Sequence, residues 1–145
     1  MKTANTEPGL TLRLDDTMSA RVSAIDATMD RIMSTVRQAG CVSEQEHDID
    51  LAVREAIANA VRHGSDEDPD KTIRITVACD ERGGVLVTVR DTGDGFDPTA
   101  TRDPGTVEGM RAPNGRGLFL IRRLMDEVEF AAGGSEIRMR KLATG

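Results

Sequence analysis

Arg90 to Pro98 reads RDTGDGFDP, three aspartates and two glycines in nine residues, directly after an apolar run. Three readings compete for it. Asp91-Thr92-Gly93 is the D-T-G wording of an aspartic protease. Asp91, Asp94 and Asp97 have the look of a calcium cage. Alternatively, the glycines let a nucleotide approach while one aspartate reads its base.

Two of these readings fail on spacing and context. A calcium loop needs ligands at its first, third, fifth and twelfth positions. Counted from Asp91, those slots hold Gly93, Gly95 and Arg102 after the aspartate. A protease needs two carboxylates sharing a proton inside an all-β fold, whereas two amphipathic helices come first here. A dinucleotide fingerprint needs a third glycine, and Pro98 stands in that slot. A plain turn remains, since Asp and Gly favour turns. Two glycines just past a strand-end aspartate also suit close approach of a ligand, with Asp91 accepting the amino hydrogen of adenine.

Outward from this stretch, the elements run β-α-α-β-β-loop-α-β-β. Leu10, Leu12 and Leu14 alternate with polar residues, predicting a strand over 10–15. Val22, Ile25, Met29, Ile32, Met33 and Val36 have helical spacing, and Gly40 suits a stop. Ser43 to Glu46 reads as a capping box opening a second helix that ends at Gly64. Strands follow at 72–79 and 85–90, joined by ERGG. The Pro-, Gly-, Thr- and Asp-rich segment about 97–114 has the length of a lid. Gly115-Arg116-Gly117 then opens an apolar helix. Residues 128–132 and 135–141 form a hairpin around Gly133-Gly134. The order predicts an α+β two-layer sandwich, helices on one face of a mixed, mostly antiparallel sheet. Residues 1–9 read as a flexible lead-in and 10–142 as one domain.

Composition excludes several classes. With 145 residues, 38% apolar and 30% charged, the chain is expected to fold as one soluble domain. A net charge of −6 argues against nucleic acid and anionic membranes as partners. Lysine occurs only at Lys2, Lys71 and Lys141, so the basic residues are nearly all arginine, suited to phosphates and carboxylates. Cys41 and Cys79 are isolated and are expected to be reduced packing residues. His47 and His63 lack metal-site spacing. No secretory leader and no run of membrane-spanning length is read, so a cytoplasmic location is expected.

Two further motifs bear on the opening question. In EAIANAVRHG (55–64), Glu55 and Asn59 lie one helical turn apart, bordering the apolar face. In NGRGLFLIRRLMDEVEF (114–130), glycines at a helix start expose N–H groups that, with the helix dipole, bind phosphate. No G-x-x-x-x-G-K-[ST] occurs, which rules out a P-loop. Each motif alone has a bland alternative: a polar helix margin, a turn, a flexible helix start. Together they supply a carboxylate, a metal-binding amide, an adenine acceptor and a phosphate-binding helix start.

These three segments, in this order, resemble the boxes of the GHKL ATPases: EAIANAVRHG the N box, DTGDGFDP the first glycine box and NGRGLFLI the second. The chain length and GRGLFLIRRLMDEVEF resemble more narrowly the bacterial anti-sigma-factor serine kinases of the RsbW type. The resemblance covers roughly 10–142 and implies the Bergerat ATP-binding sandwich. It implies Glu55 as the general base toward an acceptor serine, Asn59 as the Mg2+ ligand and His63 near the phosphates. Asp91 would bind the adenine amino group, Gly93 and Gly95 would give room, and Gly115, Arg116, Gly117 and Leu118 would hold the phosphates. Ser135 falls near an adenine-side threonine position. The implied activity is Mg-ATP-dependent phosphorylation of a serine on a STAS-type anti-sigma-factor antagonist. A sigma factor is the other implied partner, a homodimer the implied assembly, and transcriptional stress response the implied setting.

Rival readings are an ATP-gated binding module without phosphotransfer, a histidine-kinase-type catalytic domain and a topoisomerase-like clamp. Glu55 argues against the first. No histidine precedes the N-box helix, which argues against a built-in phospho-acceptor hairpin. The clamp needs transducer domains, for which the sequence has no segment.

Overall fold

A computed structural model describes residues 9–41, 45–64, 68, 70–91, 113–131 and 135–143. Five strands form one sheet: β1 (Thr11–Ser19), β2 (Thr72–Cys79), β3 (Val85–Asp91), β4 (Glu127–Ala131) and β5 (Glu136–Lys141). Their spatial order is β1-β2-β3-β5-β4. The α+β sandwich is as expected, and every strand pair described is antiparallel rather than mixed. The helices are α1 (Ile25–Ala39), α2 (Glu46–Asn59) and α3 (Pro113–Leu124).

Periodicity accounts for the helices. Met29, Ile32, Met33 and Val36 of α1 and Ile49, Val53 and Ile57 of α2 bury one stripe each. They meet Ile73, Ile75, Val77, Val87, Val89 and Met139 from the sheet in one core. Gly40 ends α1 at φ 72°. The N–H of Gly40 donates to Arg37 and that of Cys41 to Val36, a Schellman closure. The helix α2 begins at Glu46, with Gln45 at the N-cap and no side-chain cap bond. Ser43 of the expected capping box lies outside the described residues.

Three expectations need correction. First, β1 runs to Ser19, well past 15, because Asp15 to Ser19 pair along β2. Polar residues there are stabilised across the strands: Arg74 donates to both carboxylate oxygens of Asp15 at 2.9 and 2.6 Å. Second, α3 starts at Pro113, a favourable first helical position. Gly115 to Gly117 therefore lie within its first turns. Third, Cys41 and Cys79 are joined in a disulfide, not held as separate thiols. Strand β2 ends where the Schellman turn delivers Cys41, so the bond staples helix layer to sheet. Both residues are buried.

The helix-free face of the sheet is covered by its own long side chains. Thr76 and Thr88 are buried there and hydrogen-bonded to each other. Thr88 pairs with Arg138 and Leu86 with Arg140, whose stems cover apolar surface while their heads reach Glu136, Glu129 and Glu127. The hairpin β4–β5 forms as expected; residues 132–134 of its turn lie outside the described residues.

Candidate functional site

The site forms where α2 meets α3. One turn separates Glu55 from Asn59 on α2, and that turn faces Gly117 of α3. A Cβ placed on Gly117 would stand 2.5 Å from Glu55 Oε2 and 2.7 Å from Asn59 Nδ2. The three predicted residues are thus brought together at contact distance. Glu55 is half-buried, and its Oε2 lies 3.7 Å from Nη2 of Arg62. Sequence reading missed Arg62. The signal was its seven-residue spacing from Glu55, which returns a helical residue to nearly the same face.

Asn59 carries the second chemical feature. Its Oδ1 is buried and, among the described residues, has no hydrogen-bond partner. A buried orphan carbonyl costs free energy unless a ligand satisfies it. An amide oxygen is a suitable ligand for Mg2+, which keeps waters and takes substrate phosphates besides one or two protein oxygens. No cluster of three or more His, Cys, Asp or Glu residues able to hold a metal occurs among the described residues. The amide oxygen of Asn59 therefore fits a magnesium ion shared with a phosphate ligand.

Directly after Asn59 the helix widens into a π-helical turn, Ala60–Gly64. Such turns recur at functional sites. This one packs against β3, the strand that ends in Asp91. Asp91 is 7% exposed, and its N–H donates to the carbonyl of Ser135 at 3.0 Å. Ser135 is buried too. Asp91 and Ser135, the two residues expected on the adenine side, are therefore adjacent, at the end of β3 and just before β5.

The other predicted residues divide into two groups. Leu118 points into the core at 6% exposure. Gly115 and Arg116 lie in the first turn of α3. Of the lid expected about 97–114, residues 113 and 114 belong to α3; the rest, Gly93, Gly95 and the side chains of His63 and Arg116 lie outside the described residues.

Residues 18–141 match the histidine kinase-like ATPase domain. The chain belongs to that family. Its relatives place it among the anti-sigma-factor and RsbW-type members. It is 32% identical over 117 residues to a protein named anti-sigma F factor from Heyndrickxia coagulans, covering 73% of this chain and 80% of that one. It is 32% identical over 127 residues to a serine-protein kinase RsbW of Staphylococcus aureus, covering 83% and 78%. The fold matches the crystal structure of the RsbU and RsbW domains from Mycobacterium tuberculosis at a TM-score of 0.57 and 20% identity. That alignment covers 90% of this chain and 33% of the other, so this chain spans about a third of that chain's length.

Proposed function

We propose that this protein is an anti-sigma factor and serine-protein kinase that uses Mg-ATP to phosphorylate a serine of a STAS-type anti-sigma-factor antagonist. The contact between Glu55, Asn59 and Gly117 carries the reading, and the names of the relatives support it.

Phosphoryl transfer asks chiefly for positioning and charge neutralisation. Asp91 accepts the adenine amino hydrogen, orienting the nucleotide along β3. Asn59 Oδ1 would hold Mg2+, which would supply neutralisation of the phosphate charge. The N-terminal half of α3, with Gly115, Arg116, Gly117 and Leu118, faces the phosphates, and His63, Gly93 and Gly95 complete the nucleotide site. Glu55 accepts the proton of the acceptor serine as its oxygen bonds to the γ-phosphorus and the bond to the ADP oxygen breaks. The new phosphoserine adds about −2 charge opposite a protein of net charge −6. Repulsion releases the modified antagonist and frees this protein to hold its sigma factor.

A cytoplasmic homodimer belongs to this reading, with β1 and α1 as the pairing face. No described helix is long and apolar enough to cross a membrane. An ATP-gated module that transfers nothing is the second reading; a positioned Glu55 would have no task in it.

The test is direct. The protein is mixed with Mg-ATP and antagonist domains encoded in the same genome, and phosphoserine is measured. Glu55→Gln should lower transfer by roughly 10²–10⁴-fold while ATP affinity stays near wild type. Undiminished transfer by Glu55→Gln would remove the glutamate from the mechanism. Tight ATP binding without any phosphoserine in the wild type would favour the second reading.

A further inference from the structure

We propose that Gly117 is a positioning residue for Glu55: the missing side chain leaves the space that the carboxylate occupies. This inference rests on Glu55 being the base. Gly117 lies inside α3, and its φ is not left-handed, so no backbone conformation requires glycine there. In a helix interior, glycine costs about 1 kcal/mol relative to alanine. The compensation is steric. The three atoms nearest to an added Cβ are Oε2 of Glu55 at 2.5 Å, Nδ2 of Asn59 at 2.7 Å and Cδ of Glu55 at 3.0 Å. All belong to the two side chains on which the chemistry depends, and none is backbone. They are also side-chain ends, which can shift where backbone cannot. An alanine would therefore be accommodated by displacing the carboxylate and the amide, not by unfolding the helix. Arg62 faces the same Oε2 at 3.7 Å. That oxygen is thus held between a helix backbone and a cation, and Gly117 sets how near the backbone comes.

The experiment compares wild type, Gly117→Ala, Glu55→Asp, the double variant and Glu55→Gln. Transfer to the antagonist and thermal unfolding are measured for each. Gly117→Ala is expected to melt at or above wild type while kcat falls on the order of 10²-fold, the cost of a misplacement near 1 Å. Aspartate is one methylene shorter and fits beneath the alanine methyl. The double variant should therefore transfer faster than Gly117→Ala alone, although Glu55→Asp slows the wild type. Wild-type transfer by Gly117→Ala, a lowered melting temperature, or no rescue in the double variant would each overturn the inference. Rapid transfer by Glu55→Gln would instead remove the base reading on which it rests.

Discussion

The main-chain N–H of Asp91 donates to the carbonyl of Ser135 at 3.0 Å, although the two residues belong to distant parts of the chain. The bond locks the end of β3 to the start of β5 and holds a buried carboxylate beside the turn that ends the N-box helix. The first prediction follows from that placement. Asp91→Asn keeps the shape but replaces part of the acceptor with a donor, so adenine loses a charge-assisted bond of roughly 1.5–3 kcal/mol. Calorimetry should show ATP affinity falling roughly tenfold to a hundredfold, with adenine-free triphosphate unaffected. Unchanged ATP affinity would move the base-reading role elsewhere.

Asn59 offers a buried Oδ1 with no hydrogen-bond partner among the described residues, and the effect of removing it should be read through magnesium. For Asn59→Ala, nucleotide affinity is expected to drop roughly tenfold or more with Mg2+ present, because the oxygen proposed to ligate the metal is gone. Without the metal, wild type and variant should bind alike. Equal losses in both conditions would mean that Asn59 contacts the nucleotide directly.

The Cys41–Cys79 bond closes a loop between residues separated by 38 positions. A constraint of that size stabilises by about 2–4 kcal/mol. Urea unfolding with and without a thiol reductant should differ by that amount, and Cys41→Ala should be insensitive to the reductant. Because both sulfurs are buried, reduction of the native protein should be slow, since exchange depends on access. Identical unfolding curves would show that the pair is not bonded in solution.

Acid should loosen the β1 edge. The side-chain hydrogen bond from Arg74 lowers the Asp15 pKa below its ordinary 3.8, against the opposing effect of burial and with lesser help from the Arg74 charge. A depressed folded value means the contribution is complete above 3.8 and disappears as pH falls through the lower folded value. Both side chains are more than a third exposed, so the pair contributes under about 1 kcal/mol. Asp15→Asn should therefore lower the urea midpoint slightly at neutral pH, and the difference should close at strongly acid pH. A difference that persists there would point to a non-electrostatic cause.

Much of this molecule is legible from local pattern. The apolar stripes of α1 and α2, the left-handed Gly40, the β2–β3 turn and the β4–β5 pairing all follow from spacings within a few residues. The EAIANAVRHG and NGRGLFLI motifs identified Glu55, Asn59 and Gly117 as members of one site. Local pattern did not extend β1 past residue 15, because Asp15, Asp16 and Thr17 look like a turn until β2 and Arg74 lie beside them.

Spacing along the chain also could not reveal that Gly117 faces Glu55 instead of a phosphate alone, that Arg62 reaches back to the same oxygen, or that Cys41 meets Cys79. Those relationships join residues from different elements. They depend on the β1-β2-β3-β5-β4 order and on how α3 lies against α2. Periodicity records which face of an element is apolar; only the assembled layers determine which polar margins come into contact.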